Sequence, residues 1–416
     1  MKIVHLCTQD SGGAGIAAYR IHKSLLKLGL DSKMIVLNKT TDDNTVFRIT
    51  DDYYINTPLT LEKGNSIFNH LQWLLLNIDL SIYPKRPPNL EIFTNTRTMI
   101  YFEKIPEIVN ADIIHLHWIF GMFDYVQGGD IFKNKKIVWT LHDTNPFTGG
   151  CHYTYGCNKF ENECFSCPQL GSNQKFDLSN INFHSKKNIY NSLNINIVTP
   201  SKWLYSISTK SDLFCNYQHK VIRYIYPLDD FKLYDQHTLR QQFNIPTDKK
   251  IILFVADSIQ NHRKGILFLL KALEKVANNS KDFIVCTLGN SPTEIPNFQQ
   301  IHFGKLSNPK EIGIIYNLAD VFVIPSIEDN LPNTVAESLL CGTPVVGFDT
   351  GGIPEMVQHL STGYIAPKYN VDELANGIIW CLENTNENMR IKCRQTALEM
   401  FDEERIVKEY LEVYKT

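Results

Sequence analysis

No apolar run in this sequence approaches the ~18 residues that a membrane-spanning helix needs. Its start, Met1-Lys2-Ile3-Val4-His5-Leu6, turns polar at Thr8-Gln9-Asp10, too soon for the apolar core of a signal peptide. A basic excess is also missing. With 41 Lys and Arg against 44 Asp and Glu, the formal charge is -3, and no global field favours nucleic acid. Internal repeats and low-complexity tracts are absent. These absences predict a soluble, cytosolic protein with no nucleic-acid partner. The rest of the composition agrees, at 43% apolar and 20% charged residues. At 416 residues the chain is too long for one ordinary core, so two domains are expected. Ten cysteines without an export signal read as reduced thiols or metal ligands rather than as a disulfide frame.

The densest pattern is Pro325–Gly352, PSIEDNLPNTVAESLLCGTPVVGFDTGG. The apolar strand Val321–Ile324 ends at Pro325, a polar loop follows, and a helix is expected from about Pro332 to Leu340. Cys341-Gly342 stops that helix and Val345–Phe348 is a second apolar strand. Strand, loop, helix and strand make one βαβ unit of a parallel sheet. Ligands of such sheets bind beyond the strand C-termini, where helix N-termini present N–H groups to anions. Asp329 on the loop and Glu337 on the helix are spaced to face one ligand there. An acidic pair alone is also compatible with an ordinary Rossmann-type unit carrying solvated carboxylates.

The joined motif resembles the signature of the retaining glycosyltransferases of family 4: E-x7-E, then a CGTPVV strand and a GG-I-PE loop. Asp329 to Glu337 has the spacing, Cys341–Val346 is CGTPVV, and Gly351–Glu355 is GGIPE. Asp329 replaces the first glutamate, keeping the charge on a shorter arm. Pro332, which has no N–H to donate, stands where the family often has glycine. The resemblance implies an α/β protein of GT-B architecture, two Rossmann-like domains facing across a cleft, with a C-terminal helix crossing back to the first. It implies that Glu337 binds the donor ribose, while Asp329 and the backbone of Asn330, Leu331, Asn333 and Thr334 hold the sugar and diphosphate. Retention on this fold is described as front-face attack, with the leaving phosphate taking the acceptor proton. No catalytic metal is expected, because cations and helix termini stand in for it.

In the first half, strand Ile3–Cys7 leads through Ser11-Gly12-Gly13-Ala14-Gly15 into a helix reaching about Leu28, and Ser32–Leu37 is the next strand. The glycine loop allows close backbone approach to a ligand and taken alone also fits a dinucleotide fingerprint. Val36-Leu37-Asn38-Lys39 offers no ribose-binding acid, which argues against NAD. In the resembling family this loop lies near the diphosphate and acceptor, a role that falls on Gly12 and Gly13. Residues 40–97 carry an apolar, aromatic stretch, Ile67–Ile82, that fits a buried helix better than a membrane-touching one, since basic residues are scarce nearby. Asp112–Trp118 is a strand running into histidines. His117 best matches a family histidine near the donor sugar, with His115 the alternative by alternation. His142-Asp143 ends the next strand on the same edge.

Cys151, Cys157, Cys164 and Cys167 share one irregular stretch, residues 149–170. Cys164-x2-Cys167 has zinc-knuckle spacing, and the upstream pair completes a possible closed, structural four-thiolate site. Free thiols or a conditional disulfide are the alternatives. Similar loops occur in a branch of the family linked to bacterial surface polysaccharides, of the colanic-acid type.

A linker is expected near 227–248, giving domains over 1–230 and 231–400 and a returning helix over 401–416. Ile251–Ala256 opens the second domain. Arg263-Lys264-Gly265 resembles the family's diphosphate clamp, and Lys305-Leu306 lies in the turn that holds the base. Fixed cations at Lys264 and Arg263 would stabilise the charge that grows on a departing diphosphate. The sequence therefore predicts transfer of a sugar from a UDP- or GDP-linked donor to a glycan or polyprenyl-linked acceptor, with possible contact at the inner membrane face. The rivals are a nucleotide-sugar epimerase of the same fold and an inactive sugar-binding or scaffold protein.

Overall fold

The computed structural model describes residues 1–49, 74, 77–88, 90–98, 100–126, 129–256, 261–279, 282–290, 295 and 297–416. They form two units, Met1–Ile225 together with Glu403–Thr416, and Tyr226–Asp402.

The first unit is built on a parallel sheet in the order β3-β2-β1-β4-β5-β6-β7. Its strands are β1 (Lys2–Gln9), β2 (Asp31–Asn38), β3 (Val46–Arg48), β4 (Ile113–Leu116), β5 (Lys136–Thr140), β6 (Asn194–Thr199) and β7 (Gln218–Val221). Short, nearly continuous apolar runs suit strands covered on both faces, and all four residues of β4 are buried. β1 sits between β2 and β4, with Ile3 opposite Ile113 and Leu6 opposite Leu116. The strand order reverses there, and the carboxyl edge at such a switch point is where ligands of these sheets bind. The helix Gly12–Lys27 starts hard against the end of β1: a Cβ on Gly15 would lie 2.4 Å from the Gln9 carbonyl oxygen.

The returning helix, Glu403–Lys415, buries Ile406, Val407, Tyr410, Val413 and Tyr414. That stripe packs on Ile3, Ile113, Val138 and Val198 of the first sheet, the apolar face that an amphipathic helix buries. The Tyr414 hydroxyl and His115 Nδ1 share a 2.7 Å hydrogen bond, so His115 serves to dock this helix.

The second unit has the sheet order β10-β9-β8-β11-β12-β13. The strands are β8 (Lys250–Val255), β9 (Phe283–Leu288), β10 (Gln300–His302), β11 (Val321–Ile324), β12 (Val345–Phe348) and β13 (Gly363–Ala366). Helices Ile266–Asn279 and Val371–Asn384 contribute Leu269, Leu273, Leu374 and Ile378 to its core.

The stretch expected as a linker, 227–248, belongs wholly to this unit. Its polar residues tie it down: Arg240 on the helix Gln236–Gln242 is buried and donates to the Leu318 carbonyl and to Asp320 at 2.8 Å. Composition alone could not distinguish that anchoring from solvation. Helix Lys202–Ser208 follows β6 in the first unit. The apolar stretch Ile67–Ile82 falls largely outside the described residues; within it, Ile78 and Ile82 are exposed. Among the described residues no helix is long and apolar enough to cross a membrane.

Candidate functional site

The carboxyl edge of the second sheet gathers the charged residues of the motif. Loop 325–332 leaves β11 beside the short helical turn His262–Lys264 that follows β8. Asp329 Oδ2 accepts from Lys264 Nζ at 2.8 Å and lies 3.0 Å from Arg263 Nη1. Burial by itself would push the Asp329 carboxyl up, but the two cations beside it hold it below the usual carboxylate range. Arg263 is buried and also donates to the Glu328 carbonyl at 3.0 Å. Lys264 remains 26% exposed at its side chain. The two adjacent cations thus differ: Arg263 is buried against the loop and Lys264 is partly exposed.

Two glycines make this packing possible. Gly265 has φ +74 and a Cβ there would lie 1.9 Å from the Pro325 carbonyl oxygen. Gly351 has φ +59 and its Cβ would lie 1.7 Å from the Asp329 carbonyl oxygen, while the Gly352 amide donates to that same oxygen at 3.0 Å. The GG of the GGIPE loop therefore clasps the Asp329 backbone, a contact that sequence spacing did not reveal.

The helix Asn333–Leu340 starts at the same edge, with Pro332 as its N-cap. A helix start leaves its first amides without intrahelical partners and carries a partial positive charge. Asn330 and Leu331 are buried; Asn333, Thr334 and Glu337 are partly buried. Asn333 Oδ1 accepts from the Tyr226 hydroxyl at 2.9 Å, which fixes the first helical residue to the start of this unit. Glu337 lies one turn further along, near Tyr316 and Cys341. Lys305 is exposed and Leu306 partly buried in the turn after β10, where the Gly289 amide donates to the Gly304 carbonyl at 3.0 Å.

The carboxyl edge of the first sheet is different in kind. Gly12 is partly buried at the start of its helix, with φ +68, and Gly13 is exposed. His117, just past β4, is 1% exposed. It shares hydrogen bonds with His5 Nδ1 at 3.0 Å and His142 Nε2 at 3.2 Å, and His142 Nδ1 meets the Tyr224 hydroxyl at 2.8 Å. His5, His115 and His117 have ring nitrogens mutually within 4.8 Å. Most of those nitrogens are already engaged: His115 also meets Thr140 at 2.8 Å, and His5 Nε2 alone of the trio's nitrogens lacks a partner. Burial foremost, then mutual repulsion, holds His5 and His117 well below the usual imidazole value. Burial likewise takes His115 to about 3 and His142 to about 4. The stack is a neutral, hydrogen-bonded core feature, and a metal there would have to displace those bonds.

Beside it lies a cluster that sequence reasoning saw only in part. Asp143 Oδ2 bonds His152 Nδ1 at 2.6 Å and accepts from Trp118 Nε1 at 2.9 Å. His152 follows Cys151 directly. The four cysteines of that loop form no disulfide, and all of them line one small pocket of about 20 Å³.

Residues 235–400 match the family described as glycosyl transferases group 1. N-acetyl-alpha-D-glucosaminyl L-malate synthase of Bacillus anthracis is 22% identical over all of this chain and 96% of its own length. Sucrose-phosphate synthase from Thermosynechococcus elongatus superposes with a TM-score of 0.64 at 17% identity, covering 100% of this chain and 98% of that one. Anabaena HepE, solved in complex with UDP and glucose, superposes with a TM-score of 0.62 at 16% identity, covering 100% and 99%. At such identities the solved structures establish the fold, two parallel Rossmann-like sheets of the GT-B architecture. The second unit thus carries the match to the group 1 glycosyl transferases, and the whole chain, similar along its length to a glycosyl-transferring synthase, carries the GT-B fold.

Proposed function

We propose that the protein moves a hexosyl residue from a UDP- or GDP-sugar to a hydroxyl of a glycan or polyprenyl-linked glycan, with retention, in the synthesis of a bacterial surface polysaccharide. The observation that carries the donor assignment is the convergence of Lys264, Arg263, Asp329 and the Asn333–Leu340 helix start on one sheet edge. The ammonium group of Lys264, held at 2.8 Å from Asp329 on a partly exposed side chain, would meet a diphosphate oxygen. Arg263 contributes through the loop it fixes. Glu337 accepts from the ribose hydroxyls, and the loop backbone at Asn330, Leu331, Asn333 and Thr334 holds the sugar. Lys305 and Leu306 flank the base. HepE was solved with UDP and glucose, which favours a uridine donor over a guanosine one.

For the first unit the proposal is narrower. The backbone at Gly12 and Gly13 approaches phosphate or acceptor oxygens, and His117 reaches a sugar oxygen only by giving up its bond to His5 or its bond to His142. No base–nucleophile pair is needed, since the leaving phosphate takes the acceptor proton as the new bond forms on the same face. Soluble protein working on a lipid-linked acceptor would act at the cytoplasmic membrane surface.

The test is release of nucleoside diphosphate from the preferred donor, with and without candidate acceptors. Release that rises with acceptor and yields a glycosylated product supports transfer. Interconversion of free donors without acceptor would identify an epimerase, and donor binding with no turnover a sugar-binding protein.

A further inference from the structure

The cysteine loop has chemistry that donor binding leaves unused. Residues 141–177 contain no regular strand or long helix, only the short turns Asn145–Phe147, Lys159–Glu161 and Pro168–Leu170. Yet much of this irregular backbone is buried, an arrangement that usually needs a staple. Cys151, Cys157, Cys164 and Cys167 all border the same small cavity, together with Phe93, Phe160 and Phe165. Two left-handed residues bring the chain back on itself between the thiols: Ser166, with φ 43, inside the Cys164–Cys167 turn, and Tyr155, with φ 49, just before Cys157.

Burial favours the thiol form of Cys151, Cys164 and Cys167 in the metal-free loop, opposed by backbone amides that point at two of the sulfurs. The Gly149 amide donates to Cys164 Sγ at 3.3 Å, and the Gln169 and Leu170 amides are directed at the Cys167 sulfur. Lys186 is buried, with its ammonium on the Asn145 and Thr148 carbonyls at 2.5 and 3.0 Å. Burial lowers Lys186 to about 8; among the described residues no carboxylate pairs with it, and Cys151, Cys164 and Asp143 are the neighbours that favour its charge. Four thiolates on a divalent ion carry a net charge of two negative, which Lys186 partly offsets.

We infer that Cys151, Cys157, Cys164 and Cys167 bind one structural zinc ion through four thiolates, closing loop 149–170 against the sheet edge. The shell is complete with four sulfurs, so the metal takes no part in sugar transfer. Binding releases the thiol protons to solvent and leaves the oxidation state of every sulfur unchanged. Thiolates at about 2.3 Å from zinc stand about 3.8 Å apart. Among the described residues only the histidine trio is already gathered within 4.8 Å, so the four side chains turn inward on the cavity when the ion enters. Cys151 is bonded to His152, the residue that grips Asp143; the ion thereby steadies the Asp143–His152–Trp118 cluster.

The experiment is metal analysis of the whole protein, expressed with zinc and purified under reductant without chelator. One zinc per chain is expected, lost from the Cys164→Ser/Cys167→Ser double variant and retained in Cys215→Ser, an exposed cysteine outside the loop. If the double variant does not fold, cobalt substitution of the unaltered protein decides: tetrahedral thiolate ligation gives intense sulfur-to-cobalt absorption. Stripping the zinc should lower Tm by roughly 5–10 °C. Protein without zinc, its four thiols free or paired in disulfides by mass spectrometry, overturns the inference. So does zinc that survives in the double variant, or cobalt lacking the thiolate bands. None of these readings depends on sugar transfer.

Discussion

Asp329 occupies the position where the family's first motif carboxylate is a glutamate, and its surroundings account for the shorter side chain. Its backbone is clasped by Gly351 and Gly352, its carboxylate by Lys264 and Arg263. In that space the aspartate reaches both cations without a further methylene. Lys264 is the member that stays partly exposed, so it is the residue whose loss should be felt in chemistry more than in folding. Lys264→Ala is expected to lower kcat by about 100–1,000-fold, the cost typical of removing one fixed donor from a developing oxyanion. Because Arg263 still neutralises Asp329, Tm should change little. Steady-state kinetics alongside thermal melting checks both halves. Asp329→Ala is the converse case: two cations lose a buried counter-charge, at a cost of about 3–5 kcal/mol, readable by urea titration.

At the scale of elements, the histidine-bearing strand ends of the first sheet are a stability feature with a defined pH response. His5, His115, His117 and His142 all have folded values below the unfolded imidazole value of about 6.5. Their depressed values favour the neutral form in the folded state. Stability is therefore full above about pH 6.5 and is lost as the pH falls from there toward the folded values, about 4 for His142 and about 3 for His115. Each contributes up to about 1.4 kcal/mol of loss per pH unit inside that window. Asp329, held low by its cations after the opposing effect of burial, adds a further loss only below about pH 4. Melting temperature should fall steeply between pH 6.5 and 4.5, and a His117→Gln variant that still folds should flatten the curve. A Tm independent of pH across that interval would contradict this account of the stack.

The same elements explain what could be read in advance. The βαβ unit at Pro325–Gly352 was legible because its apolar strands, helix stop and acidic spacing are all local. The returning helix at Glu403–Lys415 followed from the resemblance to the family and not from a local pattern in the chain. The histidines were placed correctly at the strand ends, but alternation could not show that His115 turns to Tyr414 while His117 lies between His5 and His142. Those contacts join residues 25, 112 and 299 positions apart. Arg240 and Asp320 misled for the same reason: a polar stretch looks like a linker until its distant partner is known.

For the whole molecule, two parallel sheets with the same reversal of strand order place ligand-binding edges beyond β1 and β4 in one unit and β8 and β11 in the other. The cations and carboxylates proposed for the donor, Arg263, Lys264, Asp329 and Glu337, lie at the second edge and within the family match over residues 235–400. The most direct test is calorimetric binding of UDP-, GDP- and ADP-sugars to the unaltered protein and to Glu337→Ala. One donor should bind well and lose about 10–100-fold in affinity in the variant, the worth of a charged hydrogen bond to ribose. Equal affinity in both proteins would contradict the assignment of Glu337 and, with it, the site built around Asp329 and Lys264.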